Sequence, residues 1–140
     1  MGRSSVSLSP LLAAPLLVQL HVTLALAALV AGAARVAWPH GERMDRMLGW
    51  GFLALLAATA VSAVLLARPA GSPHLFGITV GHLFIAMSGL GLAAAWLTAR
   101  RRDRIRWRNI VTALFGGVMV MAALFELTPG RLLNTVLAGG

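Results

Sequence analysis

The chain has no cysteine, no tyrosine and no lysine, and only four carboxylates among its 140 residues. Without cysteine there are no disulfides, thiolate metal sites, iron–sulfur clusters or thiol nucleophiles. Hydrolytic motifs are also missing. There is no Gly-x-Ser-x-Gly, and Glu42 and Asp45 share a short segment with His40 without a nucleophile or metal-ligand spacing beside them. Walker and dinucleotide-type glycine loops are absent too. The sequence thus offers no catalytic residues, no metal site and little sign of an enzyme.

Charge is scarce as well. Charged residues make up 11% of the chain and hydrophobic ones 59%, which leaves room for one compact bundle and no soluble domain. The formal charge of +8 would suggest nucleic acid in a soluble protein. Here the arginines gather at the ends of apolar runs, so membrane topology and anionic lipid account for them and no nucleic-acid partner is expected. Arginine used to the exclusion of lysine points to a GC-rich bacterial genome.

What the chain does have is four long apolar runs, Leu11–Ala34, Met47–Ala67, Leu75–Ala99 and Ile110–Leu127. A bilayer core about 30 Å thick needs roughly 20 helical residues at about 1.5 Å each. The expected fold is therefore all-α: a polytopic membrane protein with four transmembrane helices in an up-down-up-down antiparallel bundle. One domain spans 1–140, with helices near 11–37, 47–67, 75–99 and 109–127 and a short tail over 128–140. The first run exceeds the roughly 7–15 residues of a signal-peptide core, so it is expected to be an uncleaved helix.

Arg35, Arg43 and Arg46 flank the first connection, and Arg100, Arg101, Arg102, Arg104, Arg106 and Arg108 fill the third; only Arg3, Arg68 and Arg131 fall on the other side. Short arginine-rich loops stay cytoplasmic, which places both termini and the Arg68–His74 loop in the periplasm or outside the cell. Trp38, Trp50, Trp96 and Trp107 sit at the arginine-rich ends, where indole favours the headgroup level. The expected location is the bacterial inner membrane.

Small residues let helix backbones approach in lipid. The candidate faces are Ala25, Ala28 and Gly32 on the first helix and Ala54, Ala58 and Ser62 on the second. The third has Gly77-x-x-x-Gly81, then Gly89 and Ala93; the fourth has Thr112/Gly116 and Ala113/Gly117.

Ionisable groups inside spans are rare and usually functional. His21 lies about 15 Å and His82 about 10 Å into their runs at the helical rise. Each shares a stripe with small residues, so both are expected to face helix partners. Two facing imidazoles at one depth suit a bis-histidine haem b. The alternative is that each bonds across helices to a polar neighbour such as Gln19, Thr59 or Ser62. Glu126 precedes Thr128-Pro129-Gly130-Arg131, where Pro-Gly stops the helix and Arg131 can fold back onto the carboxylate. His74 follows a Gly-Ser-Pro turn and stands at the outer mouth. The run Arg100–Arg108, with Asp103 its sole acid, is a candidate surface for anionic lipid or an acidic partner through Arg100, Arg101, Arg102, Arg104, Arg106 and Arg108.

Three segments together resemble the uncharacterised bacterial membrane family catalogued as domain of unknown function 2306. They are Gly41-Glu42-Arg43-Met44-Asp45-Arg46-Met47-Leu48-Gly49-Trp50, then Ser72-Pro73-His74-Leu75, and the stretch from the arginine loop to Thr128-Pro129-Gly130-Arg131-Leu132-Leu133. His21 matches a histidine near the start of that family's first helix. The resemblance runs from about His21 to the C-terminus and implies a four-helix membrane fold with no assigned reaction. Asp45 and Trp107 stand where the family pattern has histidine.

The expectation is a small accessory or structural subunit, docked to a larger membrane complex or to itself. A haem b electron carrier using His21 and His82 is the second reading, and a small-solute or proton transporter through Glu126 the third.

Overall fold

A computed structural model gives the arrangement of residues 12–38, 41–66 and 80–126, with side chains at 80, 81 and 124–126 left undescribed. Described residues form four helices: α1 (Leu16–Ala37), α2 (Glu42–Leu66), α3 (Val80–Arg100) and α4 (Arg104–Glu126). Three stretches are long and apolar enough to cross a membrane: α1, α2 and His82–Arg100 of α3. The first turns of α4 instead carry Arg104, Arg106, Arg108 and Asn109.

Local chemistry explains the ends. Pro15 caps α1, its carbonyl accepting the Val18 and Gln19 amides at 2.9 and 3.1 Å. The Gln19 amide also turns back to donate to the Leu12 and Ala14 carbonyls, occupying backbone acceptors ahead of the helix. Trp38 ends α1 in an extended conformation, as a residue before proline favours. Hydropathy puts the start of the second helix at Met47, but α2 begins at Glu42. Glu42 and Asp45 fall in its first turn, where carboxylates face the positive end of the helix dipole.

The α3–α4 corner is tighter than its arginines suggest. Asp103 N–H donates to Thr98 O at 3.2 Å and Arg102 N–H to Ala99 O at 3.1 Å, the two bonds of a Schellman turn. Arg102 holds the left-handed position, φ 55°, where glycine is usual. Asp103 then caps α4 by accepting the Arg106 amide at 3.1 Å. Helix α4 thus starts six residues before the apolar run and takes up half of the arginine cluster.

Along the bundle, Arg35 meets Asp45 while His21 meets Ser62, so α1 and α2 run in opposite directions. The core is small: Ala28, Phe52, Leu53, Leu56, Ala95, Trp107 and Val111, with Leu92, Leu114 and Phe115 packed around it. Phe52 and Phe115 meet edge to face at 5.7 Å. Outward faces are apolar, as at Val30, Leu90 and Val120. Such outward apolar side chains, on helices long enough to span a bilayer, are consistent with a membrane protein.

Close approach is confirmed on α1, where a Cβ at Gly32 would lie 2.2 Å from the Phe115 ring. The small-residue pattern misplaces the faces of α3 and α4. Gly89, Ala93, Thr112, Ala113 and Gly116 are exposed, and no atom approaches a Cβ built on Gly89, Gly116 or Gly117. Those helices instead pack through Ser88, Gly91, Ala95, Val111, Leu114 and Phe115. Helices rich in glycine and alanine carry such stripes on several faces, and spacing alone does not choose among them.

Candidate functional site

At the arginine end, Arg35 is buried at 7% exposure, on the same stripe as Ala28 and Gly32. Hydrocarbon neighbours cannot solvate a guanidinium, so its partners decide whether the bundle closes. Nε lies 3.1 Å from Asp45 Oδ1, and Nη2 reaches Oδ2 at 3.5 Å. The Nε–H is not aligned on Oδ1 for a hydrogen bond, so charge rather than hydrogen-bond geometry holds that contact. Nη1 donates to Thr112 Oγ1 at 3.2 Å, and the guanidinium carbon sits 5.5 Å from the Trp107 ring centroid, within cation–π range. Asp45 is shared with the exposed Arg108, at 3.5 Å. One buried charge thus joins α1, α2 and α4.

Tryptophans frame this cluster. Trp50 contacts Trp96 edge-on at 6.1 Å and Trp107 at 6.0 Å. Trp107 belongs to the core, its ring pressed on Gly49, so it is no interfacial anchor like the exposed Trp38 and Trp96. Its indole N–H is buried without a partner. Outside the cluster, Glu42 pairs with Arg104, and Asp103 with Arg106 at 3.4 Å. An open depression of about 580 Å³ lies there, lined mainly by Glu42, Asp45, Arg102, Arg104 and Arg108.

The six loop arginines therefore divide. Arg104, Arg106 and Arg108 face carboxylates, whereas Arg100, Arg101 and Arg102 are exposed at the corner with no acidic partner among the described residues.

Near the other end, His21 Nδ1 lies 2.7 Å from Ser62 Oγ, one of the cross-helix partners considered above. Ser62 Oγ donates to Thr59 O at 2.8 Å. Ser62 thus stands between the imidazole of α1 and the Thr59 carbonyl of its own helix, and ties His21 to α2. His82 is exposed on α3, and its stripe of Ala86, Gly89 and Ala93 is exposed with it, where the sequence suggested a helix-facing surface. No group of three or more potential metal ligands occurs among the described residues. His74, Arg131 and the Glu126 side chain lie outside the described residues.

Arg35 is the residue that sequence reading assigned to topology and not to the interior. Its position three residues after Gly32, in register with Ala28, was the available signal. No family model, curated protein or solved structure matches the chain.

Proposed function

We propose that the chain is a four-span, up-down-up-down protein of the bacterial inner membrane, with the arginine end in the cytoplasm and both termini outside. It serves as a non-catalytic accessory subunit, seated against a larger membrane complex or a second copy. One observation carries this reading. The polar cluster at the arginine end is closed on itself, with Asp45, Glu42 and Asp103 each engaged by arginine, so it works as a clamp on the bundle. Away from the arginine end, the described helices expose mainly apolar side chains. Membership of the domain of unknown function 2306 family is part of the proposal. Asp45 and Trp107, which stand where that family's pattern has histidine, both pack on Arg35.

Chemical cross-linking in native membranes, followed by mild extraction, tests this role. A discrete cross-linked species larger than the monomer is expected. A strictly monomeric chain at native expression overturns it. A reporter fused to the C-terminus that is active only in the cytoplasm would reverse the topology.

The His21–Ser62 contact favours a second reading, a haem b carrier with His21 and His82 as axial ligands, the latter offered from the exposed face of α3. An imidazole whose Nδ1 is held by a second polar group has the outer support found for metal-ligating histidines. Absorption spectra of purified, haem-replete protein, oxidised and dithionite-reduced, decide it. A reducible band lost in both His21→Ala and His82→Ala supports it, and a featureless spectrum sinks it.

A further inference from the structure

We infer that Arg100, Arg101 and Arg102, at the α3–α4 corner, form a binding site for the phosphodiester of an anionic phospholipid. The inference rests on the membrane location and not on the accessory role. Nine arginines share the end of the bundle with three carboxylates, Glu42, Asp45 and Asp103. Four of those arginines consume the carboxylates: Arg35 and Arg108 on Asp45, Arg104 on Glu42, Arg106 on Asp103. The five left over are Arg43, Arg46 and the corner triplet, all exposed. The triplet is the dense part of that surplus, three consecutive exposed arginines on one turn.

Depth identifies the ligand. Trp96 is exposed four residues before Arg100, one helical turn of about 6 Å. Indole settles at the glycerol and headgroup boundary, so one turn beyond it lies the phosphate layer. Guanidinium is the side chain best shaped for phosphate, presenting parallel N–H donors to two oxygens. The corner is also held open. The Schellman bonds fix Arg102 in a left-handed conformation that glycine would adopt at lower cost, and Asp103, the nearest acid, is occupied by the α4 cap and by Arg106. The sequence-level surface of six arginines thereby narrows to three.

Native mass spectrometry of the full chain, released from micelles doped with phosphatidylglycerol or phosphatidylcholine, tests the site. Two triple variants carry the same change in net charge: R100Q/R101Q/R102Q and R104Q/R106Q/R108Q. Each basic group near an anionic surface contributes roughly a fivefold factor, from about 1 kcal/mol per residue. The corner variant should lose phosphatidylglycerol retention by at least tenfold, the paired variant by less than threefold. R100K/R101K/R102K, which keeps charge and removes the planar fork, should fall between wild type and the corner variant. Near-UV circular dichroism of the four tryptophans confirms that each variant is folded. Equal losses in both triples would show that net charge alone acts and overturn the site. So would equal retention of phosphatidylcholine, or displacement of bound lipid by inorganic phosphate at millimolar concentration. Tighter binding of soluble polyglutamate than of phosphatidylglycerol would replace lipid by an acidic protein and also overturn it.

Discussion

Replacing Asp45 by alanine removes the counter-charge of a guanidinium that has no water to turn to. Arg35's side chain is 3% exposed, Asp45's is 18%, and the two are 3.1 Å apart. Breaking a buried ion pair by deleting one partner costs about 3–5 kcal/mol, because the other charge is stranded. Asp45 is partly wetted and Thr112 and Trp107 still hold Arg35, so about 2–4 kcal/mol is the expected loss here. Deleting the other partner is milder. In Arg35→Met the stem still packs and Asp45 keeps Arg108 and solvent, giving about 1–2 kcal/mol. Arg108 is 65% exposed, and Arg108→Gln should lose no more than about 0.5 kcal/mol. The assay is unfolding by sodium dodecyl sulfate in mixed micelles, read by tryptophan fluorescence, since Trp107 lies against the perturbed charge. The order Asp45→Ala, then Arg35→Met, then Arg108→Gln is the content of the argument. If Asp45→Ala proved no worse than Arg108→Gln, Arg35 would not depend on its carboxylate and the clamp would be wrong.

Three further pairs of substitutions probe the rest of the bundle. Ser62→Ala should destabilise by about 1–3 kcal/mol because it removes the buried hydroxyl that ties His21 to α2, whereas His21→Ala leaves Ser62 bonded to Thr59 O and should cost less in the same unfolding assay. Arg102→Gly relieves a left-handed residue and should stabilise by roughly 0.5–1 kcal/mol, while Asp103→Ala removes the α4 cap and should cost about 1 kcal/mol; matched thermal melts compare the pair. Gly32→Val drives a side chain into the Phe115 ring and should abolish the folded fluorescence signature, yet Gly116→Ala, in open space, should leave it unchanged.

Helix number and order were legible because lipid imposes a length and an apolarity that survive in raw composition, as Leu16–Ala37 and Glu42–Leu66 show. Helix starts were less so. Hydropathy ignores Glu42 and Asp103, whose value lies in dipole and capping contacts at the ends. The packing face of α1 was readable from Ala28 and Gly32, but those of α3 and α4 were not, because α3 and α4 bury residues as unlike as Ser88 and Val111 rather than a small-residue stripe. The clamp escaped notice for a different reason. Asp45 and Thr112 are distant in sequence from each other, and only folding shows that they share one guanidinium.

The partners of Arg35 also emerge from the ribosome at different times. Asp45 follows it by ten residues, Trp107 and Thr112 by more than seventy. A nascent α1–α2 hairpin can therefore balance that cation before α4 is made, but only α4 covers it. Until Trp107 and Thr112 arrive, the first hairpin thus holds a cation that is neutralised but uncovered.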